Sequence, residues 1–166
     1  MKTTKFLLSA AIVVVFVTLA QMVGSAQSGS PIVGVWRVAE LTRTGPNGGT
    51  NASPQPGLYI FTPRYYSIDM VTSDTPRPDL PQQGATDKQL ADAFGPLTAN
   101  AGTYAIKGNE LTNTIIVAKN PNVMKSGGFQ VFTFKMDGKN TLWLTQKANQ
   151  NGPATNPGTI KLTRVE

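Results

Sequence analysis

Neither cysteine nor histidine occurs anywhere in the 166 residues. Without them the chain has no Ser-His-Asp or Cys-His triad, no thiolate nucleophile, no histidine-ligated haem and no ordinary zinc site. Proton transfer would fall to Asp, Glu, Tyr or Lys, and a metal would need a hard oxygen site of the calcium or magnesium kind. Neither an EF-hand spacing nor a phosphate-cradling glycine loop with its lysine is present, so no cofactor is expected. Charge is also sparse, at 14% of residues, and the basic side chains are scattered as Arg37, Arg43, Arg64, Arg77, Lys88 and Lys107. A nucleic-acid binder would cluster them among aromatics, so no nucleic-acid partner is expected.

The first 26 residues read as an export leader. Lys2 and Lys5 give a short positive region, Phe6 to Ala20 is an uncharged apolar h-region, and Gly24-Ser25-Ala26 offers small residues where a signal peptidase cuts. Cleavage is expected after Ala26, with residues 27–166 as one domain, no integral membrane span afterwards, and a periplasmic or secreted location. The run is near the short end of what spans a bilayer, and a cleavage site follows it. With the leader gone, the 15 basic residues less Lys2 and Lys5 face 9 acidic ones, about +4 net. An exported domain lacking disulfides must be held by its core alone, and about 140 residues suffice for one.

From Ile32 onward, short alternating runs rich in Val, Ile, Thr, Tyr and Phe are separated by Gly, Pro and Asn clusters. That is the pattern of antiparallel strands. Eight are expected: Ile32 to Thr44, Gly57 to Thr62, Arg64 to Thr72, Ala101 to Lys107, Glu110 to Lys119, Phe129 to Met136, Thr141 to Lys147, and Thr159 to Val165. Lys107 to Glu110 ("KGNE") and Asp137 to Asn140 ("DGKN") have hairpin-turn chemistry. "TDKQLADAF", Thr86 to Phe94, predicts a short amphipathic helix capped by Thr86 or Asp87 and stopped by Gly95 and Pro96. Residues 44–57, 73–84 and 147–158 are too rich in Gly, Pro and Asn for central strands and are expected as loops. Asn51-Ala52-Ser53 matches a glycosylation sequon and is treated as chance.

Eight such strands form a sandwich or a closed barrel, and closure removes exposed edges. If Trp36 points inward, alternation puts Val38, Glu40 and Thr42 on the same face, with Ile160, Leu162 and Arg164 on that face of the last strand. Arg164 then stacks beside Trp36, a cation–π contact of about 0.5–2 kcal/mol.

Gly34-Val35-Trp36 on the first strand with Arg164 on the last resembles the signature of the lipocalins and their calycin relatives, in which the tryptophan plugs the closed barrel end and the arginine packs over it. The bacterial and fungal lipocalin-like domain family is a closer match. The chain carries "GVWR" at Gly34 to Arg37, "GLYIFTPRYYSIDM" at Gly57 to Met70, "ATDKQLADAF" at Ala85 to Phe94 and "NAGTYAI" at Asn100 to Ile106. It departs at Arg64-Tyr65-Tyr66, where the family tends to have Asp-Gly. The resemblance implies an all-β fold, an eight-stranded antiparallel lipocalin-like barrel with one short helix and a cup-like interior, closed by Gly34, Trp36 and Arg164. It implies no activity, since one barrel hosts many functions.

Alternation fills the interior with Tyr66, Ile68 and Met70 on the third strand and Phe132, Phe134 and Met136 on the sixth. Tyr104 and Trp143 each offer one polar contact, to a ligand or within the wall. Glu40 on the Trp36 face would be a carboxylate in an apolar cup, suited to acid or base work; at a strand end near the mouth it would be solvated or paired instead. The ligand-binding set is thus Glu40, Tyr66, Ile68, Met70, Tyr104, Phe132 and Phe134. Three functions remain open: an exported barrel holding a small hydrophobic molecule, which is preferred; a cofactor-free isomerase, cyclase or lyase acting on a hydrophobic substrate; and a packed envelope interaction protein. An apolar cup, two close ionisable groups, or no cup at all would separate them.

Overall fold

The computed structural model describes residues 29–46, 48–125 and 127–166, so the expected leader lies outside the described residues. Among these the elements run β1 (Gly34–Arg43), β2 (Gly49–Asn51), β3 (Gly57–Phe61), β4 (Tyr65–Val71), α1 (Asp87–Phe94), β5 (Leu97–Lys107), β6 (Glu110–Ala118), α2 (Pro121–Lys125), β7 (Phe129–Asp137), β8 (Thr141–Asn149), β9 (Gly152–Pro153) and β10 (Thr159–Arg164). Eight strands form an antiparallel wall in the order β10-β1-β3-β4-β5-β6-β7-β8, and β8 pairs back onto β10 to close it. The expected barrel and its short helix are therefore present. Three elements were not foreseen: β2 on β1, β9 on β8, and the five-residue α2. β5 also begins at Leu97, four residues earlier than expected, because Leu97 to Asn100 pair with Ile68 to Val71.

Local chemistry accounts for the connections. Thr86 caps α1: its hydroxyl accepts from Gln89 N at 3.3 Å while Gln89 Oε1 accepts from Thr86 N at 2.9 Å, a reciprocal capping box. Of its apolar positions only Ala93 is buried; Leu90 and Phe94 stay exposed. The turn from β3 to β4 lacks Asp-Gly yet closes tightly, because the Thr62 hydroxyl accepts from Tyr65 N at 2.9 Å and Thr62 N donates to Tyr65 O at 2.8 Å.

The two rims differ. Following the antiparallel register, β1 starts and β10 ends at the same rim, where Trp36 pairs with Arg164. That rim holds the short turns 62–64, 108–109 and 138–140. The opposite rim holds both helices and the long connections 44–56, 72–86 and 150–158. Trp36, Phe61, Leu111, Leu142, Leu144 and Leu162 are almost wholly buried and fill the interior from the closed rim upward.

One register expectation is overturned. Val38 pairs with Leu162 and Glu40 with the adjacent Lys161, so β1 carries an extra residue, Ala39, at this point. Such a bulge flips the alternation beyond it. Leu41, not Glu40, joins the core, and Glu40 and Thr42 fall on the outer face, where Glu40 sits opposite Lys161 and Thr42 bonds Thr50. The physical gain is plain: an unpaired carboxylate in the apolar interior would be heavily penalised, and an outer carboxylate opposite a lysine is not.

Candidate functional site

At the closed rim, the first strand must let a guanidinium pass over an indole. Arg164 lies 4.0 Å above the Trp36 ring and donates to Lys139 O at 2.7 Å, Val33 O at 2.7 Å and Pro31 O at 2.6 Å. Trp36 Nε1 donates to Ile32 O at 2.8 Å, so the indole's polar atom is satisfied although the residue is fully buried. A Cβ on Gly34 would stand 2.3 Å from the Arg164 guanidinium, and the φ of +143° also favours glycine there. The indole and the guanidinium are thus both engaged; beside them Ser30, Val33, Met136 and Arg164 line a shallow concavity of about 450 Å³, in which the buried Ser30 hydroxyl has no partner among the described residues.

The open rim is different. A pocket of about 340 Å³ lies among Gly95 to Asn100, the end of β6, α2 and Gln130. Its inward-facing members include Asn100, Ile115 and Gln130, while Val123 approaches from α2. β5 and β6 bend here around an extra β6 residue, Ile116, and Gly102 is required at the bend: a Cβ there would fall 1.9 Å from Thr114 O. Lys119 fixes the end of α1 beside the pocket, donating to Phe94 O, to Gly95 O at 3.0 Å and to Leu97 O at 2.9 Å. Its ammonium is thereby committed to backbone.

Beneath this pocket the interior becomes polar before it becomes solid. The Tyr66 hydroxyl donates to Asn100 Oδ1 at 2.8 Å. Tyr59 donates to the Met70 sulfur at 3.4 Å. Asn113 is 1% exposed, and neither its Nδ2 nor its Oδ1 has a partner among the described residues; the buried Oε1 of Gln130, its cross-strand neighbour, has none either. Burial pushes the Tyr59 phenol well above the ordinary tyrosine value, with nearby Tyr66 adding to it. Burial alone raises Tyr66 and Tyr104. All three are neutral hydrogen-bonding groups at physiological pH.

The residues expected to line a ligand are placed as follows. Tyr66, Ile68, Met70, Tyr104 and Phe132 come together in one buried cluster, with Phe134 partly buried against it. Tyr104 reaches away from the open rim, donating to Thr62 O at 2.7 Å. Glu40 is not among them, as the bulge dictates. Trp143 is outside too, its ring 5.0 Å from the Lys161 ammonium. The pocket residues Asn100, Ile115 and Gln130, and the buried Asn113 next to them on β6, were missed. A signal for them existed: each is two residues from an inward apolar side chain or glycine on its strand, and a polar side chain in such a phase is the anomaly to look for.

Outside the wall, α1 and residues 77–80 enclose a second concavity of about 490 Å³. Arg77 contributes only a long 3.4 Å contact to Ala93 O there.

Comparison with known proteins matches the lipocalin-like domain family to residues 33–164. No curated protein matches the chain. Among solved structures it is similar to a lipocalin-like protein from Bacteroides uniformis ATCC 8492, at 14% identity over 81% of this chain and 98% of that one, with a TM-score of 0.44. An uncharacterized protein from Bacteroides eggerthii DSM 20697 is similar at 11% identity, 79% and 98% coverage, and a TM-score of 0.43. EF1p2_mFAP2b, solved bound to DFHBI, is similar at 15% identity, 84% and 98% coverage, and a TM-score of 0.42.

Proposed function

Because the chain belongs to the lipocalin-like domain family, we propose that it is an exported small-molecule-binding protein that takes the hydrophobic body of its ligand into the open half of its barrel. The observation that carries this reading is the pocket of about 340 Å³ at the rim that bears both helices and the long loops. Its size falls within the range of small-ligand sites, and its lining mixes Leu97, Ile115 and Val123 with the polar Thr98, Asn100, Asn120 and Gln130. The ligand sits high, against Ile115 and Val123, because the closed half is filled by Trp36, Phe61 and the buried leucines. Export rests on the leader-like segment from Lys2 to Ala26. The acid–base enzyme reading has less support, because the carboxylate it relied on, Glu40, lies on the outer face.

The test is native mass spectrometry of the full-length chain's exported fraction from its own cells. An N-terminus at Gln27 and a co-purifying organic mass are expected. A chain retained in the cell with its leader intact refutes export. Bare protein that no panel of apolar small molecules stabilises against heat refutes binding.

A further inference from the structure

Resting on that reading, we propose that the pocket selects an uncharged ligand bearing a carbonyl-type oxygen, which accepts an N–H of Asn100. Asn100 lines the pocket and is only 9% exposed. Its Oδ1 accepts from the Tyr66 hydroxyl at 2.8 Å. That contact fixes which way round the amide lies. The Tyr66 hydroxyl, on a residue 2% exposed, has no other acceptor, so exchanging the two amide atoms would leave its proton unmet. Nδ2 is left as the free end. No described residue accepts from it, yet it is not among the partnerless atoms sealed from water, which are Ser30 Oγ, both amide atoms of Asn113 and Gln130 Oε1. The bond into Oδ1 also polarises the amide and strengthens Nδ2 as a donor.

The rest of the lining decides what the acceptor belongs to. Lys119 is the one charged residue in it, and its ammonium is committed to the Phe94, Gly95 and Leu97 carbonyls. A carboxylate would therefore lie against the pocket wall without a free counter-ion, a penalty that a neutral oxygen avoids. An alcohol can accept from Nδ2 as well, but its own O–H meets an Oδ1 already used by Tyr66. A ketone, aldehyde or ester oxygen only accepts, and leaves no donor to satisfy. Leu97, Ile115 and Val123 supply the apolar contact for the body of the molecule. Tyr66 is then a positioning residue, acting on the ligand through Asn100.

The experiment titrates the protein with acetophenone, ethylbenzene and benzoate, which share a phenyl body and differ in what they bring to Asn100, with the acetophenone carbonyl carbon labelled with ¹³C. Acetophenone is expected to bind about threefold or more tightly than ethylbenzene, the gain of one net hydrogen bond, and about tenfold or more tightly than benzoate. Asn100→Leu should bring acetophenone to within about twofold of ethylbenzene, whose own affinity is little changed. The carbonyl resonance of bound acetophenone should lie downfield in wild-type protein of its position in Asn100→Leu, where nothing donates to it. Tyr66→Phe, which keeps Asn100 but frees its amide to turn, should weaken both the preference and the downfield position. If wild-type protein binds ethylbenzene as tightly as acetophenone, or if Asn100→Leu leaves preference and resonance unchanged, the assignment to Asn100 falls and the binding reading stands. A wild-type resonance in Tyr66→Phe overturns the positioning role. If none of the three binds, both readings fall.

Discussion

Replacing Asn113 by leucine should make the ligand-free protein more stable, the reverse of the usual effect of altering a buried residue. Each buried polar atom without a partner costs about 1–3 kcal/mol, and Asn113 carries two at 1% exposure. Leucine branches at the same atom, so the shape is nearly kept, and slight overpacking takes back about 1 kcal/mol. The net expectation is a gain of about 1–5 kcal/mol, or about 3–15 °C in Tm for a domain of this size. The assay is urea unfolding of protein refolded from denaturant to strip bound small molecules, with stability read from the midpoint at unchanged m-value. Asn113→Asp, which buries a carboxylate at the same place, should lose about 3 kcal/mol or more. A loss above about 1 kcal/mol in Asn113→Leu would refute the reasoning, since it would mean that Asn113 is already fully paired in the ligand-free protein.

Arg164→Met removes the cation above Trp36 and the donors to Pro31, Val33 and Lys139 carbonyls, and should cost about 3 kcal/mol in urea unfolding; a loss under about 1 kcal/mol would show that the closed rim does not depend on it. Arg164→Lys should recover less than half of that, because a compact ammonium loses the planar guanidinium's stacking on Trp36 and the fixed fork that spreads its donors to separate carbonyls. Gly102→Ala sets a methyl against the fixed Thr114 carbonyl and should cost about 3 kcal/mol or more, so a wild-type urea midpoint would contradict the packing described. Glu40→Gln should leave any co-purifying ligand in place; its loss would mean that the β1 bulge is misassigned. The buried tyrosines make an alkaline prediction. Their folded values lie above the unfolded one of about 10, so the stability they contribute is complete below about pH 10 and is lost as pH rises through the folded values. In Tyr65→Phe protein, which lacks the exposed fourth tyrosine, absorbance at 295 nm should show their ionisation coinciding with unfolding by circular dichroism, and ionisation near pH 10 in intact protein would count against their burial.

Much of the fold was legible because its cues are local. Turn glycines at 108 and 138 adopt φ of 62°, as hairpins with glycine at that place require, and Thr86 with Gln89 announces the helix start three residues apart. The closed rim was legible for a different reason. Gly34 and Trp36 precede every irregularity in β1, so counting by twos from Trp36 to Val38, and back from Leu162 to Arg164, lands on the right face.

The open half was not legible, and one physical cause covers most of the misses. Single extra residues enter the wall at Ala39, Ile116 and Lys147, on β1, β6 and β8, all above the Trp36 layer. Nothing in the composition of those residues marks them, yet each reverses the alternation beyond it, which is how Glu40 was counted inside. Bulges also bend strands and end regular pairing, so the features that defeat a period-two reading are concentrated where the barrel stops being a packed cylinder and opens. Asn113 and Gln130 escape that difficulty. Asn113 is in phase with Leu111 and Ile115, before the β6 bulge, and Gln130 is in phase with Phe132 and Phe134 on a strand without an insertion. What hid them was the assumption that an inward face is apolar. In a barrel filled from one end, a polar side chain that keeps the inward phase marks the depth at which the apolar filling ends.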